Sequence, residues 1–108
     1  MKLETKQAYL IKKEEDLKKF CSELKKLGMF NECNNEYLLE SSIKEKLNRK
    51  YLRITICSNG HCVHGGYSKT ESLSTEALTE YQRKNTCYQY PCKLFVYAKE
   101  LKYNKEYV

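Results

Sequence analysis

Leu52-Arg53-Ile54-Thr55-Ile56-Cys57-Ser58-Asn59-Gly60-His61-Cys62-Val63-His64-Gly65-Gly66-Tyr67 is the stretch that decides the fold. Apolar and polar residues alternate on both sides of Asn59-Gly60, a dipeptide suited to a two-residue turn with positive φ at both centre positions. The pattern predicts a hairpin of strands 52–57 and 62–67. A two-residue loop pairs Cys57 with Cys62, Ile56 with Val63, Thr55 with His64 and Ile54 with Gly65. Successive strand side chains point to opposite faces, so Leu52, Ile54, Ile56, Val63 and Tyr67 are expected on the core face. Arg53, Thr55, Cys57, Cys62 and His64 are expected on the other. Gly65-Gly66 reads as a bulge or a close approach by another backbone.

Working outward, residues 7–11 form a short apolar strand candidate, and Glu14, Glu15 and Asp16 suit the positive end of a helix. Leu17, Phe20, Cys21, Leu24 and Leu27 recur at helical spacing, with Gly28 placed to cap the end. Residues 31–49 are an insertion read as helical over 36–48, with a strand through 37–39 as the competing reading. After the hairpin, Ser74 is an N-cap candidate for a helix over 75–84. Leu73 and Leu78 occupy its hydrophobic staple positions. Residues 92–98 are rich in β-formers and read as the last strand. The order β-α-(α)-β-β-α-β predicts an α+β, ferredoxin-like sandwich: an antiparallel sheet with its helices on one face and the other face open.

The 108 residues make one domain, 1–108, with a modest core. Charged residues at 31% and one proline exclude a disordered or low-complexity chain. The net charge of +6 is spread evenly: 12 basic and 9 acidic side chains lie in residues 1–50, against 8 and 5 in residues 51–108. A solvated, mixed-sign surface accounts for that better than a nucleic-acid tract. No stretch has the length of a membrane span, and the opening residues lack the apolar run of a signal peptide. A cytoplasmic chain that keeps its six cysteines reduced is expected.

Cys57, Cys62, Cys87 and Cys92, with His64 as a substitute ligand, form a conceivable zinc set, although the spacing is looser than a zinc knuckle. The plainer reading takes these cysteines as small, half-buried hydrophobes and expects no metal or cofactor. Cys62 lies between His61 and His64, but no orienting carboxylate is near. There is no glycine-rich phosphate loop and no paired-acid motif. The chain is expected not to be an enzyme.

Tyr9, Ile11, Phe95 and Tyr97 alternate with further apolar residues, so both faces of the outer strands are apolar. On a sheet with one bare face, that surplus predicts an exposed aromatic patch beside Arg53 and Lys93. The C-terminal residues or the 31–49 insertion would remove it by folding across. Tyrosine and arginine bury much area at low entropy cost. The expected partner-binding residues are therefore Arg53, His64, Tyr67, Tyr88, Tyr90, Lys93 and Tyr97. The same face would admit a second copy of the chain.

The run Tyr9-Leu10-Ile11-Lys12-Lys13-Glu14-Glu15-Asp16-Leu17-Lys18-Lys19-Phe20, with Tyr51-Leu52-Arg53-Ile54-Thr55-Ile56 and Lys93-Leu94-Phe95-Val96-Tyr97, resembles in architecture and composition the small accessory proteins of bacteriophages and mobile elements. These include the anti-CRISPR proteins. The resemblance implies a non-catalytic inhibitor that binds a host defence nuclease complex by protein contact. Its basic balance departs from the acidic DNA mimics of that group. The alternative is a small RNA- or DNA-binding domain, possible with a zinc ion, because RNA-recognition domains share the βαββαβ order and stack bases on sheet aromatics. Here Cys62, His64 and Tyr67 replace the glycine-aromatic consensus of such a domain's third strand.

Overall fold

The computed structural model describes residues 2–27 and 41–96. Its elements are β1 (Gln7–Ile11), α1 (Glu14–Lys26), α2 (Ser41–Arg49), β2 (Lys50–Ile56), β3 (Cys62–Ser68), α3 (Thr75–Asn85) and β4 (Cys92–Leu94). The α+β class is as expected. Glu14, Glu15 and Asp16 open α1 and Lys25 and Lys26 close it, each complementing the helix dipole. Ser74 caps α3, its hydroxyl accepting from the Ala77 amide at 3.2 Å. The last strand, predicted over 92–98, ends at Leu94, and residues 95–96 carry no strand structure; the predicted Gly28 cap, the alternative strand at 37–39 and residues 97–98 lie outside the described residues. Among those residues, no helix is long and apolar enough to cross a membrane.

The ferredoxin-like arrangement is corrected. The sheet runs β3-β2-β1-β4, with β1 antiparallel to β2 and parallel to β4. It is mixed rather than antiparallel, and helices cover both faces. On one face, Leu17, Phe20, Cys21 and Leu24 of α1 and Leu47 of α2 join Tyr9, Ile11, Leu52, Ile54, Ile56 and Phe95 in one core. On the other, Leu78 of α3 packs with Ala8, Leu10, Tyr67 and Cys92, and Leu73 and Tyr81 border this second core. The reason lies in β1, buried at all five positions. A strand apolar on both sides is a central strand covered on both sides, not a strand with spare surface. The Arg53 side of the sheet, predicted to be open, is the floor beneath α3, while Tyr9 and Phe95 of the predicted aromatic patch lie in the core under α1.

The hairpin is also one residue out of the expected register. Cys57 N–H donates to the His61 carbonyl at 2.8 Å, and Gly60 N–H to the Cys57 carbonyl at 2.9 Å. Gly60 has φ of 85°, and Lys6 is the one non-glycine with positive φ among the described residues. The loop is therefore Ser58-Asn59-Gly60, a three-residue connection with left-handed glycine at its end, rather than the two-residue turn. Ile56 now pairs with Cys62, Thr55 with Val63, Ile54 with His64, Arg53 with Gly65 and Leu52 with Gly66. A slip of one residue exchanges the faces of a whole strand. Val63 and Tyr67 share the α3 side with Arg53, while Cys62 and His64 join Leu52, Ile54 and Ile56.

The glycine pair admits side chains, not another backbone. A Cβ on Gly65 would stand 2.7 Å from an Arg53 guanidinium nitrogen, and one on Gly66 would stand 3.1 Å from Lys50 Cδ.

Candidate functional site

Arg53 is only 7% exposed. Its guanidinium donates to Gln82 Oε1 on α3 and lies over the Tyr81 ring, 5.3 Å from the centroid. Its Nε has no hydrogen-bond partner among the described residues. Burial pulls its pKa down, with Tyr81 and Cys92 opposing. Gln82, fully buried, sends its amide nitrogen to Thr55 Oγ1 at 3.1 Å, Thr86 Oγ1 at 3.2 Å and the Tyr88 carbonyl at 3.2 Å. One polar node thus ties β2 to α3 and to the loop that follows it. Tyr67 is likewise interior, its ring edge-on to Tyr81 at 4.9 Å and its hydroxyl donating to the Ser72 carbonyl. Neither Arg53 nor Tyr67 is available to a partner.

Four of the six positions of the loop 86–91, Thr86, Tyr88, Gln89 and Pro91, are held by hydrogen bonds. Thr86 Oγ1 donates to the Gln82 carbonyl at 2.9 Å and accepts from the Tyr88 amide at 3.1 Å. Gln89 Nε2 donates to the carbonyls of Arg83 and Thr86, and Gln7 Nε2 donates to that of Pro91. On this frame the half-buried Tyr88 and Tyr90 stack, ring centroids 6.0 Å apart at 28°. Cys57 at the hairpin end is the neighbour that raises the Tyr88 phenol pKa most, by charge and then by a hydrogen bond, with Cys87 adding to it. Lys93, half-buried, holds its ammonium 5.7 Å from the Tyr9 ring centre on the α1 side of the sheet. Tyr97 lies outside the described residues. The seven predicted contacts therefore do not form one patch; Tyr88 and Tyr90 are the pair that comes together.

The alternative zinc set is not assembled. Cys92 is buried under α3, Cys62 is in the core on the other side of the sheet, and Cys87 is exposed. Among the described residues no group of three or more His, Cys, Asp or Glu is placed to hold a metal.

Two clefts open on the described surface. One, of about 470 Å³, runs along the outer side of α3 and carries both charge signs, Glu76 and Glu80 beside Arg83 and Lys84. The other, of about 390 Å³, lies where α2 passes into β2 and is lined by Lys46, Arg49, Lys50, Tyr51, Leu52, His64, Gly65 and Gly66. Burial and the charge of Lys46 both lower the His64 pKa. The local signal for this cleft is the run Lys46-Leu47-Asn48-Arg49-Lys50, diluted when charge is averaged over half the chain. His64 was singled out in the sequence; its cationic neighbours were not. No protein-family model, curated protein or solved structure matches this chain.

Proposed function

We propose that this chain is a non-catalytic binding protein that engages a protein partner through loop 86–91, with Tyr88 and Tyr90 as anchors. One observation carries the reading: two partly exposed, stacked tyrosines on a loop whose backbone is already fixed by Thr86, Gln82 and Gln89. Aromatic anchors held in place before contact lose little conformational entropy on docking, so more of their buried area appears as affinity. The resemblance to phage accessory proteins makes a host defence nuclease complex the proposed partner class. A reducing, cytoplasmic setting suits the free thiols Cys57, Cys87 and Cys92. Base stacking on the sheet loses its platform, because Tyr9 is fully buried.

The test is retention of partners from a bacterial lysate on immobilised wild-type chain and on the Tyr88→Ala/Tyr90→Ala variant. Proteins held by wild type and lost from the variant support the reading. An identical set on both would remove the loop from consideration.

A further inference from the structure

We propose that the cleft between α2, β2 and β3 binds a phosphate group, at a site separate from the tyrosine loop. Lys46, Arg49 and Lys50 supply three fixed cations, and His64 supplies an imidazole between the core and the opening. Among the described residues, no acidic side chain lines the cleft. The volume of about 390 Å³ admits a nucleotide-sized ligand.

The plainest competing account is that these cations serve the C-terminal end of α2, where carbonyl oxygens carry partial negative charge. One of those carbonyls already has a cation from outside the cleft: Lys69 Nζ donates to the Asn48 carbonyl at 3.1 Å. Lys50 belongs to β2, beyond the helix, and its chain is laid across Gly66, where any side chain would displace it. Its position is thus set by the strand pairing and not by the helix end. Charge of one sign is gathered along this cleft; burial lowers the proton affinity of His64 first, and the charge of Lys46 lowers it further. Phosphate answers this chemistry well. It carries enough negative charge to meet several cations, and a guanidinium meets its oxygens by two parallel hydrogen bonds.

The phosphate has two possible sources, a free nucleotide or a nucleic-acid backbone. Backbone amide resonances of the 15N-labelled full chain would be followed during titration with inorganic phosphate, ADP and a ten-residue thymidine oligonucleotide. Saturable shifts at His64, Gly65 and Gly66 are expected. Lys46→Glu, and separately Arg49→Ala/Lys50→Ala, should weaken binding by at least tenfold. All three residues are exposed, so the fold should tolerate the changes. Tyr88→Ala/Tyr90→Ala should leave the titration unchanged, which keeps failure of this site distinct from failure of the protein-binding reading. Tighter binding of the oligonucleotide than of ADP, falling steeply with salt, assigns the site to a nucleic-acid backbone; ADP equal or tighter assigns it to a nucleotide. Shifts that grow linearly without saturation for all three probes, or that are the same in Lys46→Glu, overturn the proposal.

Discussion

Arg53 and Gln82 join the sheet to the helix above it: a buried guanidinium donates to an amide oxygen, and the same amide's nitrogen reaches Thr55, Thr86 and the Tyr88 carbonyl. A full charge is thus held in the interior by a neutral acceptor and an aromatic face, with the binding loop hung from the same side chain.

Removing that acceptor should be costly. Gln82→Leu leaves the buried cation without its partner, a change that typically costs roughly 3–5 kcal/mol. Replacing both residues, as Arg53→Met/Gln82→Leu, removes the charge as well and should recover most of the loss. Urea unfolding of wild type and the two variants measures this, and a Gln82→Leu cost below about 1 kcal/mol would contradict the buried network.

Gly65 should tolerate no side chain while Arg53 is present. Gly65→Ala puts a methyl 2.7 Å from the guanidinium, and overpacking of this kind costs about 1–3 kcal/mol. In an Arg53→Ala background the same substitution should cost clearly less. Equal costs in the two backgrounds would show that the two residues do not meet.

Thiol reactivity should separate the cysteines by depth. Burial pushes Cys92 up to about 12, against the opposing pull of the Arg53 charge, and the residue has no exposed surface. Cys87 is exposed. Iodoacetamide at pH 8 on folded protein, read by peptide mass spectrometry, should label Cys87 early and Cys92 last of the two. Comparable rates would mean that α3 does not seal the sheet.

His64 should make stability depend on pH. Burial, then the charge of Lys46, holds its folded pKa below the ordinary 6.5, so the folded state binds the proton less readily than the unfolded chain. Its contribution is present above about pH 6.5 and is lost as pH falls through the folded value. Between pH 7.5 and 5.5 the urea midpoint of wild type should drop more than that of His64→Gln. Parallel curves would place the imidazole in open solvent.

The comparison of sequence with structure turns on a few residues. The helix at Leu17, Phe20, Cys21 and Leu24, and the Ser74 cap with its Leu73–Leu78 staple, were legible because their signals are local and periodic. The hairpin's place was legible but its register was not. Asn-Gly fits both a two-residue turn and the last two positions of a three-residue loop, and only backbone hydrogen bonding distinguishes them. That single step moved His64 to the α1 side of the sheet and Tyr67 to the α3 side. Strand order was illegible for a different reason. The pairing of β1 with β4 joins residues far apart in sequence, and no local pattern encodes it. Of the candidate site, Tyr88 and Tyr90 were found by composition, whereas Gln82 was hidden as an ordinary polar residue on a helix.

The placement of β1 also sets the order in which the molecule can assemble. Gln7 reaches the carbonyl of Pro91, 84 positions further along the chain, and Ala8 pairs with Cys92. While the chain is emerging from the ribosome, β1 has apolar side chains on both sides and one unfilled hydrogen-bonding edge until residues 92–94 have been synthesised. Such distant pairing slows folding, and an open edge invites pairing between nascent chains. Pairing with residues 92–94 is the step that closes this edge of β1.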